Sequence, residues 1–174
     1  CSLEENIEEL DVKKVINKEI IRINELMYKT GLIEEKEDIE KISKEELEKR
    51  NLLRDFCIAT DNFIVYRPSF GLHTIIAGYP WFLDWGRDSM IAFEGLLLIP
   101  KRFNIAKEVF LTGTRDIKFG LVPNGYSGYD NRPLYNSVDS SLLLFEAVYQ
   151  YLQYTGDYKF IENNIYDKLV IIID

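Results

Sequence analysis

Sulfur and imidazole are scarce in this sequence: 174 residues hold two cysteines, Cys1 and Cys57, and one histidine, His73. The cysteines form neither a close pair nor a ligand cluster, which excludes a disulfide framework and a structural zinc site. A lone histidine would need carboxylates from elsewhere to complete a metal triad, so no metal and no cofactor are expected. Basic side chains are also in deficit, 21 against 29 acidic ones, for a formal net charge of -8. That balance argues against a nucleic-acid partner, whose phosphates demand basic patches, and leaves neutral ligands open. No apolar run reaches membrane-spanning length, and no basic start leads into an apolar middle and a small-residue cleavage site. No membrane partner is expected, therefore, and the expected location is cytoplasmic. What is present is an ordinary globular balance, 47% hydrophobic and 29% charged, enough for one substantial domain. A start at Cys1 rather than Met, and an apolar run over 169–173 before Asp174, read as the ends of an excised piece.

The chemistry concentrates in AGYPWFLDWGRDSMIAFEGLLLI (77–99), where Trp81, Asp84, Trp85, Arg87 and Asp88 directly precede eleven residues that are almost all apolar. Asp and Arg hydrogen-bond pairs of hydroxyls, and an indole offers a flat apolar face to a sugar ring, so this set suits a polyol. The plainer reading makes Asp84 or Asp88 a helix cap, pairs Arg87 with one of them and sends the tryptophans into the core. Five such residues within eight positions exceed what one helix start needs.

Along the chain, Ile7, Leu10, Ile16, Ile20, Ile23 and Met27 recur at three and four positions and predict a one-sided helix over 3–27, ended by Gly31. A charged stretch over 34–46 reads as a linker. Ser43 and Glu46 match a capping box for a helix through Leu47, Leu53, Phe56 and Cys57 to Asp61 or Asn62, with Cys57 a packing residue rather than a nucleophile. Two β-prone runs, 63–67 and 72–77, predict a small irregular hairpin in which His73 is structural or faces solvent. The helix after Asp88 is apolar on most sides and should be surrounded, whereas the next, over 104–115, is one-sided. A turn-rich loop over 119–133 then delivers Asn124, Asp130, Asn131 and Arg132. Tyr135, Asn136, Ser137 and Asp139 lead into a second nearly all-apolar helix, and a further helix spans 160–173. The same plan therefore occurs twice, with Asp88 and Asp139 in analogous places. Alternating surrounded and one-sided helices imply two concentric layers, an α/α toroid whose inner helices open on a common mouth. A helix N-terminus suits an anionic side chain, so Asp88 and Asp139 read first as acceptors for sugar hydroxyls; a carboxylate pair dividing acid and base work is the alternative.

Five blocks, TIIAGYPWFLDWGRD (74–88), GLLL (95–98), GLVPN (120–124), YNSVDSSL (135–142) and YTGD (154–157), occur in that order. Through them the chain resembles the amylo-α-1,6-glucosidase region of glycogen debranching enzymes over about 47–173. The tryptophan-arginine-aspartate element alone is also similar to glucoamylase-like toroids; the ordered combination is what singles out this family. The resemblance implies an all-α fold, the N-terminal half of an (α/α)6 toroid with a small irregular β-hairpin insertion, over 47–174. An N-terminal amphipathic helix (1–33) and a charged linker with a helix cap (34–46) precede it. It also implies an inverting glycoside hydrolase in which Arg87 and Asp88 bind hydroxyls of the glucosyl unit at the cleavage subsite. Trp81 and Trp85 would shape or stack on its ring, and Asn136 and Asp139 would complete the wall.

In such relatives the general acid follows the helix that finishes this chain, and the general base lies near the far end of the toroid. No catalytic residue is therefore assigned here, and the isolated chain is expected to show little or no activity. The implied partners are a branched α-glucan or maltooligosaccharide and either the remaining half of the toroid or a second copy. Apolar inner faces drive that association, each large side chain gaining about 1.5–3 kcal/mol on burial. The competing readings are a noncatalytic carbohydrate-binding module and a helical assembly module in which the same residues are caps and core.

Overall fold

A computed structural model of the chain describes residues 11–30, 43–80 and 82–174. It is mostly helical with two small antiparallel ribbons, and it divides into two compact units, 1–58 and 59–174. No described helix is long and apolar enough to cross a membrane.

In the first unit α1 spans Val12–Thr30, and the Asp11 carboxylate caps it by accepting from the amides of Lys13 and Lys14 at 3.1 and 3.2 Å. The helix α2 (Lys44–Asp61) starts as the sequence predicts, with Ser43 Oγ accepting from the amide of Glu46 at 3.2 Å, and Cys57 is buried on it. The expected helix start at Leu3, its stop at Gly31 and the linker as far as residue 42 lie outside the described residues.

The second unit opens with the expected hairpin. Strands β1 (Ile64–Arg67) and β2 (Leu72–Ile75) pair antiparallel, Ile64 opposite Ile75 and Arg67 opposite Leu72. The turn closes on Gly71 at φ 67°, a left-handed conformation that glycine adopts at no steric cost. The hairpin lies on α4 (Phe103–Gly113), where Thr112 Oγ donates to the carbonyl of His73 at 3.2 Å. Glu108 accepts the His73 amide at 2.8 Å and meets its ring Nδ1 at 2.7 Å, so His73 is structural. Burial pushes the Glu108 carboxyl up, but the His73 contacts outweigh it and hold the group below the ordinary glutamate value.

Between hairpin and α4 runs α3 (Gly86–Phe93), which widens into a π-helical turn over Glu94–Leu98 before Pro100. The loop expected after α4 is partly ordered as a ribbon, β3 (Gly125–Tyr126) against β4 (Pro133–Leu134). Then α5 (Asp139–Thr155) ends on Gly156 at φ 63°. The single helix expected over 160–173 is two, α6 (Tyr158–Asn164) and α7 (Tyr166–Ile173), because Asn163 and Asn164 hold a helix weakly and Ile165 turns into the core at the break.

Phe93 and Leu97, Val109 and Phe110, Leu144 and Tyr151, with Ile161 and Ile165, form one core. Phe110 stands between Phe93 and Tyr151, with ring centroids at 4.5 and 5.6 Å. Within this chain α3 and α5 each bury one side only, leaving Ile91 66% and Leu142 65% exposed on the apolar faces for which the sequence predicts further partners.

Candidate functional site

The N-terminal turns of α3 and α5 meet through their side chains. Arg87 Nε donates to Asp139 Oδ2, an ion pair in which both groups keep partial access to solvent. Beneath it, the buried Asn124 uses both ends of its amide. Its Oδ1 accepts from the Arg87 backbone at 3.1 Å and from Ser140 Oγ at 2.8 Å, while its Nδ2 donates to Asn136 Oδ1 at 3.1 Å. Only a side chain that donates and accepts can tie all three. The backbone of Asn124 joins in, its carbonyl accepting from Gly86 at 2.7 Å and its amide donating to Leu134 at 2.8 Å. That approach leaves no room for a side chain at Gly86, where a Cβ would stand 2.7 Å from the Pro123 carbonyl oxygen. Asp139 Oδ1 and Ser137 Oγ are buried with no hydrogen-bond partner among the described residues.

Asp88 is exposed in the first turn of α3 and lines an open, largely apolar groove of about 280 Å³ together with Phe63, Ile75, Ile91 and Leu96. Trp85 is half-buried; its backbone bridges to Gly125 and its indole lies against the same residue. Trp81 lies outside the described residues.

The plainer cap reading is corrected in two respects. Trp85 occupies the N-cap of α3 without any side-chain cap bond, so neither Asp84 nor Asp88 serves there. Arg87 pairs with Asp139 rather than with either nearby aspartate. Asp84 instead is buried beneath the hairpin, where Arg67 Nη1 reaches its two oxygens at 2.6 and 2.7 Å. Burial pushes the Asp84 carboxyl up against the opposing pull of Arg67.

Of the set Trp81, Trp85, Arg87, Asp88, Asn136 and Asp139 that the sequence groups, Arg87, Asn136 and Asp139 share one hydrogen-bonded network through Asn124, and Asp88 makes no hydrogen bond to it among the described residues. Sequence reasoning gave no role to Asn124, the hub, or to Arg67, the partner of Asp84. The signals were a lone amide closing the apolar GLVP run and a lone charge closing the apolar β-run 63–66.

Residues 58–174 match the family model described as amylo-alpha-1,6-glucosidase. The chain is 34% identical over 95 residues to the glycogen debranching enzyme of Saccharomyces cerevisiae. That alignment covers 52% of this chain and 6% of the yeast protein, so the chain spans a small part of that relative's length. No solved structure matches. With two thirds of its residues inside the family model, the chain belongs to the amylo-alpha-1,6-glucosidase family.

Proposed function

We propose that this chain supplies the glucosyl-binding half of an inverting amylo-α-1,6-glucosidase site in a glycogen debranching enzyme, built on the first helical hairpins of an (α/α)6 toroid. The observation that carries the reading is the Arg87–Asp139 pair spanning two helix N-termini over Asn124. Arg87 keeps guanidinium N–H groups free of that bond for hydroxyl oxygens, and Asp88 and Asn136 are both exposed; the reading has them accept from and donate to the same sugar. Trp85, with Trp81, gives the sugar an apolar wall.

Inversion needs an acid and a base roughly 6.5–9.5 Å apart with a water between them. Asp139 is engaged by Arg87 and Asp84 by Arg67, which suits holding hydroxyls or bracing the fold rather than proton delivery. The reading therefore assigns acid and base to parts of the enzyme beyond residue 174. Its partners are a branched α-glucan and the remainder of the toroid or a second copy, which would cover Ile91 and Leu142. Those exposed apolar residues are also what favours the second reading, a helical assembly module. The proposed location is cytoplasmic.

Calorimetric titration with an α-1,6-branched maltooligosaccharide separates the two. Asp88→Asn should weaken binding about tenfold, the lower end of what a charged hydrogen bond is worth, with the melting temperature unchanged. Unaltered affinity would favour the assembly module.

A further inference from the structure

We propose that Tyr129 is a stacking platform for a glucose unit of the glucan lying beyond the unit held at Arg87; this rests on the carbohydrate reading above. The ribbon β3–β4 leaves Asn124 and returns to Asn136, so its base is the site network itself. Its tip is tightly built: Ser127 donates its amide to Arg132 at 2.9 Å, Asn131 donates back to Ser127 at 3.1 Å, and Ser127 Oγ accepts from the Tyr129 amide at 3.3 Å.

The tip is also anchored from below. Asn131, at φ 53°, turns its Oδ1 to Arg67 Nη2 at 2.8 Å. Arg67 is the same largely buried guanidinium that holds Asp84, and it stacks on Phe70 at 4.6 Å. A Cβ at Gly128 would touch Leu83, so the tip leans on the turn that enters α3.

Yet the ring carried by this braced tip packs on none of the described residues: Tyr129 is 103% exposed. A core residue would be covered, and a merely solvating tip would not need a buried arginine and a left-handed asparagine to hold it. With the backbone braced, only the two side-chain torsions of the tyrosine remain to be ordered when a ligand covers its ring, which is the economy of a binding platform. Its reach sets the ligand. Five residues from Asn124, at about 3.3 Å each, put the ring at most roughly 16 Å away. That bound lies within the run of an oligosaccharide whose end unit is held at Arg87.

The test is titration of the 174-residue chain with glucose and with maltoheptaose, for wild type, Tyr129→Ala, Tyr129→Phe and Asn131→Gly. Losing cover on one ring face predicts about a tenfold weaker maltoheptaose affinity for Tyr129→Ala, with glucose affinity unchanged. Tyr129→Phe should bind as wild type. Asn131→Gly keeps the left-handed backbone but removes the acceptor for Arg67, so it should lose maltoheptaose affinity with the tyrosine still present. If wild type binds maltoheptaose and Tyr129→Ala binds it equally well, or loses glucose to the same degree, the platform is overturned and the glucosyl reading stands. If wild type binds neither sugar, both fall together.

Discussion

Two glycines close together on one helical segment should respond to alanine in opposite directions. Where alanine fits, replacing a helical glycine gains about 0.5–1 kcal/mol through the unfolded chain. Gly95 is exposed in the π-helical turn and has no atom within 4 Å of a would-be Cβ, so Gly95→Ala should gain about that amount. Gly86 has the same entropy to gain but no space. Its Cβ would lie 2.7 Å from the Pro123 carbonyl oxygen and 3.2 Å from Ser140 Oγ. The first of these is backbone and cannot swing aside, and overpacking of this kind costs about 1–3 kcal/mol. The difference leaves Gly86→Ala less stable by about 1–2 kcal/mol. Urea unfolding followed by circular dichroism should therefore show the two midpoints displaced oppositely at constant slope. The yielding atom is next to Asn124, so Gly86→Ala should also disturb Arg87 and Asn136 and weaken glucan binding, which Gly95→Ala should not. A Gly86→Ala midpoint that rises with that of Gly95→Ala would refute the close approach on which the site is built.

Other consequences are as direct. Arg87→Lys keeps the charge but loses the Nε–H that meets Asp139, so glucan affinity should fall about tenfold, while stability changes by less than about 1 kcal/mol because the pair is half-exposed. Undiminished binding would remove the fork from the account. Phe93→Ala empties the centre of the core and should cost about 3–5 kcal/mol in urea unfolding; a loss under about 1.5 would contradict the packing of Phe93 on Phe110. Glu108 is held below its unfolded value of 4.5, so its contribution is full above that value and is lost as pH falls through the lower folded one. Glu108→Gln should therefore flatten the acid limb of the stability profile over that window, and a limb identical to wild type would show that His73 does not hold this carboxylate.

Local signals in the sequence were sufficient for the elements whose ends are chemically marked. Ser43 and Glu46 set the start of α2, Gly71 the hairpin turn and Gly156 the end of α5. Elements whose ends depend on distant residues were less legible. The first turn of α3 begins at Gly86 because Asn124, 38 residues later, accepts its amide, a bond with no local trace. Asp84 read as a ligand group because it sits among ligand types; its burial follows from Arg67, 17 residues earlier across the hairpin. Apolar patterning on α3 and α5 reports that Ile91 and Leu142 can be buried without saying by what. The break between α6 and α7 was present as Asn163-Asn164, but the apolar period on either side, Phe160 to Ile172, concealed it.

The most direct test of the central claim is release of glucose from an α-1,6-glucosyl-branched maltooligosaccharide, followed at the anomeric proton by NMR. It would be run with the 174-residue chain and with a glycogen debranching enzyme that contains it. The account predicts β-glucose from the longer enzyme and none from the chain alone. Robust hydrolysis by the chain would contradict it, and would return Asp88, Asp130 and Asp139 to consideration as the carboxylates that do the chemistry.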